Sequence, residues 1–154
     1  MSDNNCFYKN GLRFECQRCS DCCRISPGVV YLSKNDLTRL AQWFKIKEED
    51  FIKKYCRWVQ YYGNQEALAL LEKTNYDCVL WEGGGCKAYG ARPVQCSTYP
   101  FWSWVLKSKD AWLDEAKSCK GVNKGPVRPY EDIEGQKFLY EHNLPITRDL
   151  EIEF

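Results

Sequence analysis

The sequence predicts a small, single α+β domain in which helices and short β-hairpins surround irregular loops rich in cysteine. Its 154 residues suit one domain. A chain of this length can bury about 68–70% of the surface that it exposes when unfolded. Apolar residues recur at helical spacing in some segments, while β-branched runs and glycine turns mark others. Ten cysteines, clustered between these segments, indicate metal-binding or redox loops.

The first periodic elements follow the N-terminal cysteines. The run "GVVYL" (Gly28–Leu32) is apolar and β-branched, which predicts a strand. Ser33 then has the character of a helix N-cap, with Asp36 three residues later, and "KNDLTRLAQWF" continues at helical spacing. A second helix is predicted over Glu48–Tyr61, with one apolar face made of Phe51, Ile52, Tyr55 and Val59.

The middle of the chain carries a glycine-rich turn. In "YDCVLWEGGGCKAY" two short apolar segments flank Glu82–Gly85, which predicts a hairpin whose arms hold Cys78 and Cys86. We interpret these glycines as a turn, because they lack the spacing and βαβ context of a nucleotide-binding loop. Pro93 suits the first position of a short helix.

The last third is harder to assign. In "FWSWVLKSKDAWLDEA", Trp102, Trp104 and Leu106 alternate as on a strand, so we favour a second hairpin over a helix. The segment 130–143 predicts a C-terminal helix, which Gly135 weakens by ~1 kcal/mol relative to Ala. The predicted organisation is an N-terminal arm at 1–13, a cysteine-cluster metal-binding domain at 14–125 and a helical extension packed on it at 126–154.

Charge and hydropathy limit the partners. The formal net charge is +1, which gives no strong bias toward nucleic acid or an anionic membrane. The N-terminus lacks the apolar core of a secretion signal, and no apolar run approaches the ~20 residues that span a bilayer. We therefore expect a cytoplasmic protein that binds neither membrane nor nucleic acid. In a reducing compartment, clustered thiols favour metal or redox chemistry over structural disulfides.

The segment "FECQRCSDCCR" contains the most informative spacing. Cys16, Cys19 and Cys22 form C-x2-C-x2-C, which lets a turning loop direct three sulfurs at one centre. Zinc sites and [4Fe–4S] clusters both use such spacing, so it predicts a soft metal without choosing between them. Side chains of adjacent residues in an extended segment point apart, so Cys23 favours two sites or one polynuclear site. The alternative is that Cys23 is a small buried residue.

Other ligands must come from farther along the chain. We assign them to the remaining clustered or loop cysteines, which are Cys78, Cys86, Cys96 and Cys119. Cys6 is interpreted as a free thiol of the arm, and Cys56 as a helical core residue beside Tyr55 and Trp58. Arg24 and Arg92 adjoin candidate ligands, where positive charge would offset the negative charge of bound thiolates.

These elements, in this order, resemble the YkgJ-type cysteine-cluster proteins, also described as the CxxCxxCC zinc- or iron-chelating domain. The resemblance spans about residues 14–125 and rests on the CxxCxxCC-R segment, "GVVYLS", "CVLWEGGGCKAY", "RPVQCSTYPF" and "CKGV". It implies a set of eight cysteines: Cys16, Cys19, Cys22, Cys23, Cys78, Cys86, Cys96 and Cys119. A similar domain occurs in flagellin lysine methylases, where the cysteines hold an iron–sulfur cluster. That likeness implies iron without implying methylase activity.

Three functions remain open. The favoured one is a metal-binding protein that holds iron, as an iron–sulfur cluster, for electron transfer, sensing or metal handling. The second is a structural zinc module that binds a protein partner, and the third is a redox or cluster-dependent enzyme. Acid–base catalysis is disfavoured, because the one histidine, His142, lies in a polar segment at a predicted helix end. We expect Tyr99, Trp102 and Trp104 to cover the metal site or to join the core.

Overall fold

Helices and short antiparallel strands alternate along the part of the chain that the computed structural model describes, namely residues 6–16, 29–73, 78–82 and 85–149. The α-helices of this part are α1 (Lys34–Phe44), α2 (Glu48–Tyr55), α3 (Val94–Thr98), α4 (Lys109–Glu115) and α5 (Tyr130–His142). Its strands are β1 (Leu12–Phe14), β2 (Cys56–Gln60), β3 (Gln65–Leu70), β4 (Trp81–Glu82), β5 (Gly85–Cys86), β6 (Val122–Arg128) and β7 (Thr147–Asp149). The predicted α+β class is confirmed.

Helix α1 begins as its sequence predicts. The Ser33 side chain accepts a hydrogen bond from the backbone N–H of Asp36, 3.1 Å away. The Asp36 carboxylate in turn accepts one from the Ser33 N–H at 3.0 Å. This reciprocal capping box satisfies two donors that a helix start leaves open. Leu37, Leu40 and Ala41 are buried on the inner face of the helix.

The predicted second helix is wrong after Tyr55. Helix α2 ends at Tyr55, and Cys56–Gln60 turns instead into strand β2. β2 pairs antiparallel with β3, with Trp58 opposite Leu68, and β7 pairs with the other edge of β3. The segment "CRWVQ" carries residues that suit either structure, and the partner strand decides between them.

The predicted strand at 28–32 is partly realised. Gly28 lies outside the described residues. Tyr31 forms a single antiparallel bridge with Ala69 of β3. Backbone bonds from Leu32 N–H to Leu68 O (3.0 Å) and from Leu70 N–H to Val30 O (3.0 Å) extend the pairing. This segment therefore adds an extended edge to β3 beside β7.

The later elements divide between correct and wrong predictions. β4 and β5 pair as the predicted hairpin, with Trp81 opposite Cys86. Pro93 is the N-cap of α3 rather than its first residue.

The predicted second hairpin is wrong: the chain turns after Trp102, and Ser108 caps helix α4 by accepting from the Ala111 N–H at 3.1 Å. Helix α5 is confirmed, and His142 is its last residue.

Two apolar clusters form the interior of the described part. The first cluster surrounds α1, α2, β2 and β3, and its buried residues include Leu40, Phe51 and Leu68. The second cluster joins β1, α4, β6 and α5 through Tyr8, Phe14, Phe101, Val105, Leu106, Trp112, Val122 and Ile133. None of the helices in the described part has the length and apolar character that crossing a bilayer requires.

Candidate metal centre

Three of the predicted ligand cysteines line one pocket. The pocket has a volume of about 550 Å³, and its wall includes Cys16, Cys96 and Cys119. These residues come from three separate places: just after β1, within α3 and just after α4. Residues up to 103 positions apart in the sequence thus present thiols to one cavity. The other described residues of its wall are Phe14, Tyr89, Arg92, Ser97, Tyr99, Phe101, Ser118, Gly121, Arg128, Glu131, Asp132, Gly135, Gln136 and Leu139.

Gly121 brings the Cys119 loop close to the end of β1. The space around its Cα is tight, because a Cβ at this position would lie 2.2 Å from the backbone oxygen of Glu15. The Glu15 N–H donates to the Gly121 carbonyl at 3.2 Å. Because the nearest obstructing atoms are the backbone oxygen and carbon of Glu15, only glycine fits here without moving the chain. The glycine therefore sets the spacing between the segments that carry Cys16 and Cys119.

Helix α3, which holds Cys96, is anchored through a buried carboxylate. Asp36 is fully buried, and its Oδ1 accepts from the Val94 N–H at 3.0 Å. The Gln95 side chain holds the same helix to the 29–31 segment, accepting from the Tyr31 N–H at 3.0 Å and donating to the Val29 carbonyl at 2.7 Å. These bonds fix where α3 presents Cys96 to the pocket.

Charged groups of both signs line the pocket. Arg92 is held with its Nε 2.9 Å from the Tyr89 carbonyl and its guanidinium 3.9 Å from the Tyr89 ring centroid. Arg128 donates from Nε to the Phe14 carbonyl at 3.1 Å. Glu131 and Asp132 belong to the first turn of α5, where the helix dipole favours acidic side chains. Two guanidiniums and two carboxylates thus share the described wall with the three cysteines.

The other predicted ligands lie elsewhere or outside the described residues. Cys78 and Cys86 are partly buried against the first apolar cluster and do not line this pocket. Cys78 bridges to Glu72, and Cys86 pairs with Trp81. Cys19, Cys22, Cys23 and Arg24 fall in 17–28, outside the described part of the chain. The assignment of these residues to a metal site stays a prediction.

The two cysteines outside the predicted set occupy different environments. Cys6 is partly buried against the second cluster. Cys56 lies at the start of β2 instead of within a helix, and it is buried in the first cluster. Burial raises the pKa of the Cys56 thiol to about 12, so it stays protonated at neutral pH. Cys56 is thus a core residue, as predicted, although in a strand.

The three pocket thiols do not form a complete site by themselves. Among the residues that the structure describes, no three His, Cys, Asp or Glu side chains lie close enough together to hold one metal ion. The donor chemistry nevertheless fits a thiolate-bound metal. Three sulfurs and two guanidiniums share a cavity much larger than a single ion.

The sequence prediction missed several residues of this wall. Arg128, Glu131 and Asp132 lie beyond the cysteine motifs, in the predicted helical extension. Acidic residues at a helix start have a sufficient local explanation, so no sequence signal marked them as pocket residues. Among the aromatic residues, Tyr99 lines the pocket and Trp102 packs against the second cluster, whereas Trp104 is about half exposed.

Comparison with known proteins identifies a family and finds relatives among the curated proteins. No solved structure matches the chain. Uncharacterized protein MJ0661 of Methanocaldococcus jannaschii is 27% identical over 140 residues, which cover 86% of this chain and 69% of that protein. Residues 15–120 match the model of the CxxCxxCC family, whose description is "putative zinc- or iron-chelating domain". This match includes Cys16, Cys96 and Cys119, and the chain belongs to the CxxCxxCC family.

Proposed function

We propose that this protein binds iron as an iron–sulfur cluster through cysteine thiolates at the pocket of Cys16, Cys96 and Cys119. Family membership supports metal binding, with zinc or iron as the metal. The observation that carries the proposal is that three thiols from distant segments line one cavity of about 550 Å³. Thiols of the 19–23 segment, which directly follows Cys16, complete the ligand set in this proposal.

The size of the cavity favours a cluster over a single ion. A tetrahedral zinc ion holds its sulfurs about 2.3 Å away and would draw its ligands tightly together. A polynuclear cluster occupies more of such a space, and it supplies reversible one-electron chemistry when bound.

Two of the four charged side chains in the described wall, Arg92 and Arg128, would attract an anionic group. Four thiolates around a cluster core of charge 2+ leave a net charge of −2. Arg92 and Arg128 face the same cavity, each oriented by a backbone carbonyl. These cations lower the cost of enclosing negative charge. Glu131 and Asp132 act in the opposite direction, so the arginines are needed to balance the pocket.

The test is the metal and sulfide content of protein purified without oxygen. The variants are Cys16→Ser and Cys119→Ser, and the matched control is Cys6→Ser, because Cys6 and Cys119 are both partly buried against the second cluster. We expect brown wild-type protein with iron and acid-labile sulfide. Each pocket variant should lose most of this metal, since it lacks one thiolate, and Cys6→Ser should retain it.

The other outcomes separate the alternatives. Colourless protein that contains zinc and no sulfide would indicate a structural zinc site at the same thiols instead of a cluster. Full metal retention in both pocket variants would refute the ligand assignment, whichever metal is found. Protein without any metal after anaerobic purification and reconstitution would refute the proposed function itself.

A further inference from the structure

A second pocket, separate from the proposed metal pocket at Cys16, Cys96 and Cys119, is lined in part by four tyrosines. Its volume is about 420 Å³, within the range of small-molecule sites. It lies where the end of β2 and the following turn meet the extended 29–32 segment and the C-terminal end of α5. Among the described residues, it shares no lining residue with the metal pocket. We name it the tyrosine pocket, after Tyr31, Tyr61, Tyr62 and Tyr140.

Three of the four rings form a chain of edge-to-face contacts, and the fourth stacks on a tryptophan. Tyr31 and Tyr61 meet edge to face, with centroids 5.5 Å apart, and Tyr61 meets Tyr62 in the same way at 4.5 Å. Tyr140 stacks on Trp102 with centroids 5.0 Å apart, which supports its ring from behind. Burial raises the pKa of Tyr61, and the neighbouring phenols raise it further, so its hydroxyl stays neutral at physiological pH.

The polar groups of the tyrosine pocket favour a cation. Glu141 is the one charged side chain in the described lining, which contains no lysine or arginine. The amide groups of Gln95 and Asn143 are already engaged with Val29, Tyr31 and Asp36, so they hold the walls in place. The groups that can contact a ligand are therefore the tyrosine rings and hydroxyls, the Gln60 amide and the Glu141 carboxylate, whose Oε1 also accepts from Ser103 Oγ at 2.6 Å.

We propose that the tyrosine pocket binds a small organic cation of the quaternary ammonium class. Such a cation has no N–H group and cannot be satisfied by hydrogen bonds. It is held instead by the negative faces of aromatic rings, with each interaction worth about 0.5–2 kcal/mol. Glu141 supplies the compensating negative charge at the same cavity. This inference is independent of the metal that the other pocket holds.

The test compares choline with 3,3-dimethyl-1-butanol, which has the same shape and no charge, by isothermal titration of the intact protein. We expect saturable binding of choline and at least about tenfold weaker binding of the neutral alcohol. Tyr62→Ala should weaken choline binding by roughly 2- to 30-fold, the equivalent of one ring contact. Glu141→Gln should weaken it as well.

The control is Phe138→Ala, because Phe138 is an exposed aromatic residue of α5 that does not line the tyrosine pocket. This variant should bind choline like the wild type. Tyr62 is 75% exposed, so its removal should leave the fold intact, which circular dichroism checks. No saturable choline binding, equal affinity for the neutral alcohol, or wild-type binding by both Tyr62→Ala and Glu141→Gln would overturn the proposal.

Discussion

Asp36 connects three parts of the molecule, namely α1 with its cap, α3 and the end of α5, through one buried carboxylate. Its Oδ1 accepts from Arg39 Nη2 at 2.8 Å and from the Val94 N–H at 3.0 Å. Its Oδ2 accepts from the Ser33 N–H at 3.0 Å and from Asn143 Nδ2 at 2.8 Å. A residue that the sequence marks only as part of a capping box therefore also orients the helix that carries Cys96.

We expect Asp36→Asn to destabilise the protein by about 2–4 kcal/mol, because it removes the charge and places an amide group against donors that then lack a partner. The free energy of unfolding in urea measures this effect. Asp114→Asn is the matched control, since Asp114 pairs with Lys117 at the same i,i+3 spacing but its side chain is 75% exposed. A loss of equal size in both variants would contradict the role assigned to Asp36.

At the scale of elements, the contact between the Cys119 loop and β1 decides the shape of the metal pocket. β6 follows this loop and pairs with β1, with Leu12 opposite Arg128. The register shifts between Arg13 and Phe14, where Phe14 pairs with Val122. This irregular pairing brings Cys16 and Cys119 to the same cavity, and Gly121 permits the close approach.

Two glycine substitutions should have opposite effects. Gly121→Ala places a Cβ against the Glu15 backbone, so we expect a loss of about 1–3 kcal/mol and less bound metal. Gly135→Ala, in the middle of α5, meets no atom within 4 Å and should stabilise the helix by up to ~1 kcal/mol. Thermal unfolding and metal analysis measure both. Wild-type metal content in Gly121→Ala would contradict the proposed importance of this contact.

At the scale of the whole molecule, the metal pocket joins elements that pack on different apolar clusters. Phe14 and Phe101 of its wall belong to the second cluster, whereas Arg92 follows Ala91 of the first. A metal bound by Cys16, Cys96 and Cys119 would thus cross-link β1, α3 and the loop after α4. Helix α1 contributes no residue to the described wall and is held by its own cap and core contacts.

Removal of the metal should therefore loosen the molecule unevenly. We expect faster amide hydrogen exchange at residues 15–16, 94–98 and 118–121 after chelation, because their cross-link is lost. The amides of α1 should keep their protection and serve as the internal control. Mass spectrometry of protein with and without metal measures this difference. Unchanged exchange at all three segments would argue against a shared site.

Elements that are marked by short-range sequence patterns could be predicted from the sequence. The capping box of α1 lies within four residues, the glycine-rich turn separates paired neighbours, and α5 follows from its own composition. The cysteine spacing likewise predicted a soft metal, because C-x2-C-x2-C is a short-range pattern. The alternating tryptophans suggested a strand where the structure instead forms a turn and helix α4, which Ser108 caps.

Contacts between segments that are distant in sequence became visible in the tertiary structure and could not be predicted from local patterns. Cys56–Gln60 became a strand because β3 supplies its hydrogen-bond partners, with Cys56 opposite Leu70. Cys16, Cys96 and Cys119 reach one cavity through the pairing of β1 with β6 and through the anchoring of α3 by Asp36. Such contacts depend on the packing of the whole chain, and propensity and spacing describe only neighbours in sequence. The motif thus predicted the chemistry, and the fold determined which thiols share a pocket.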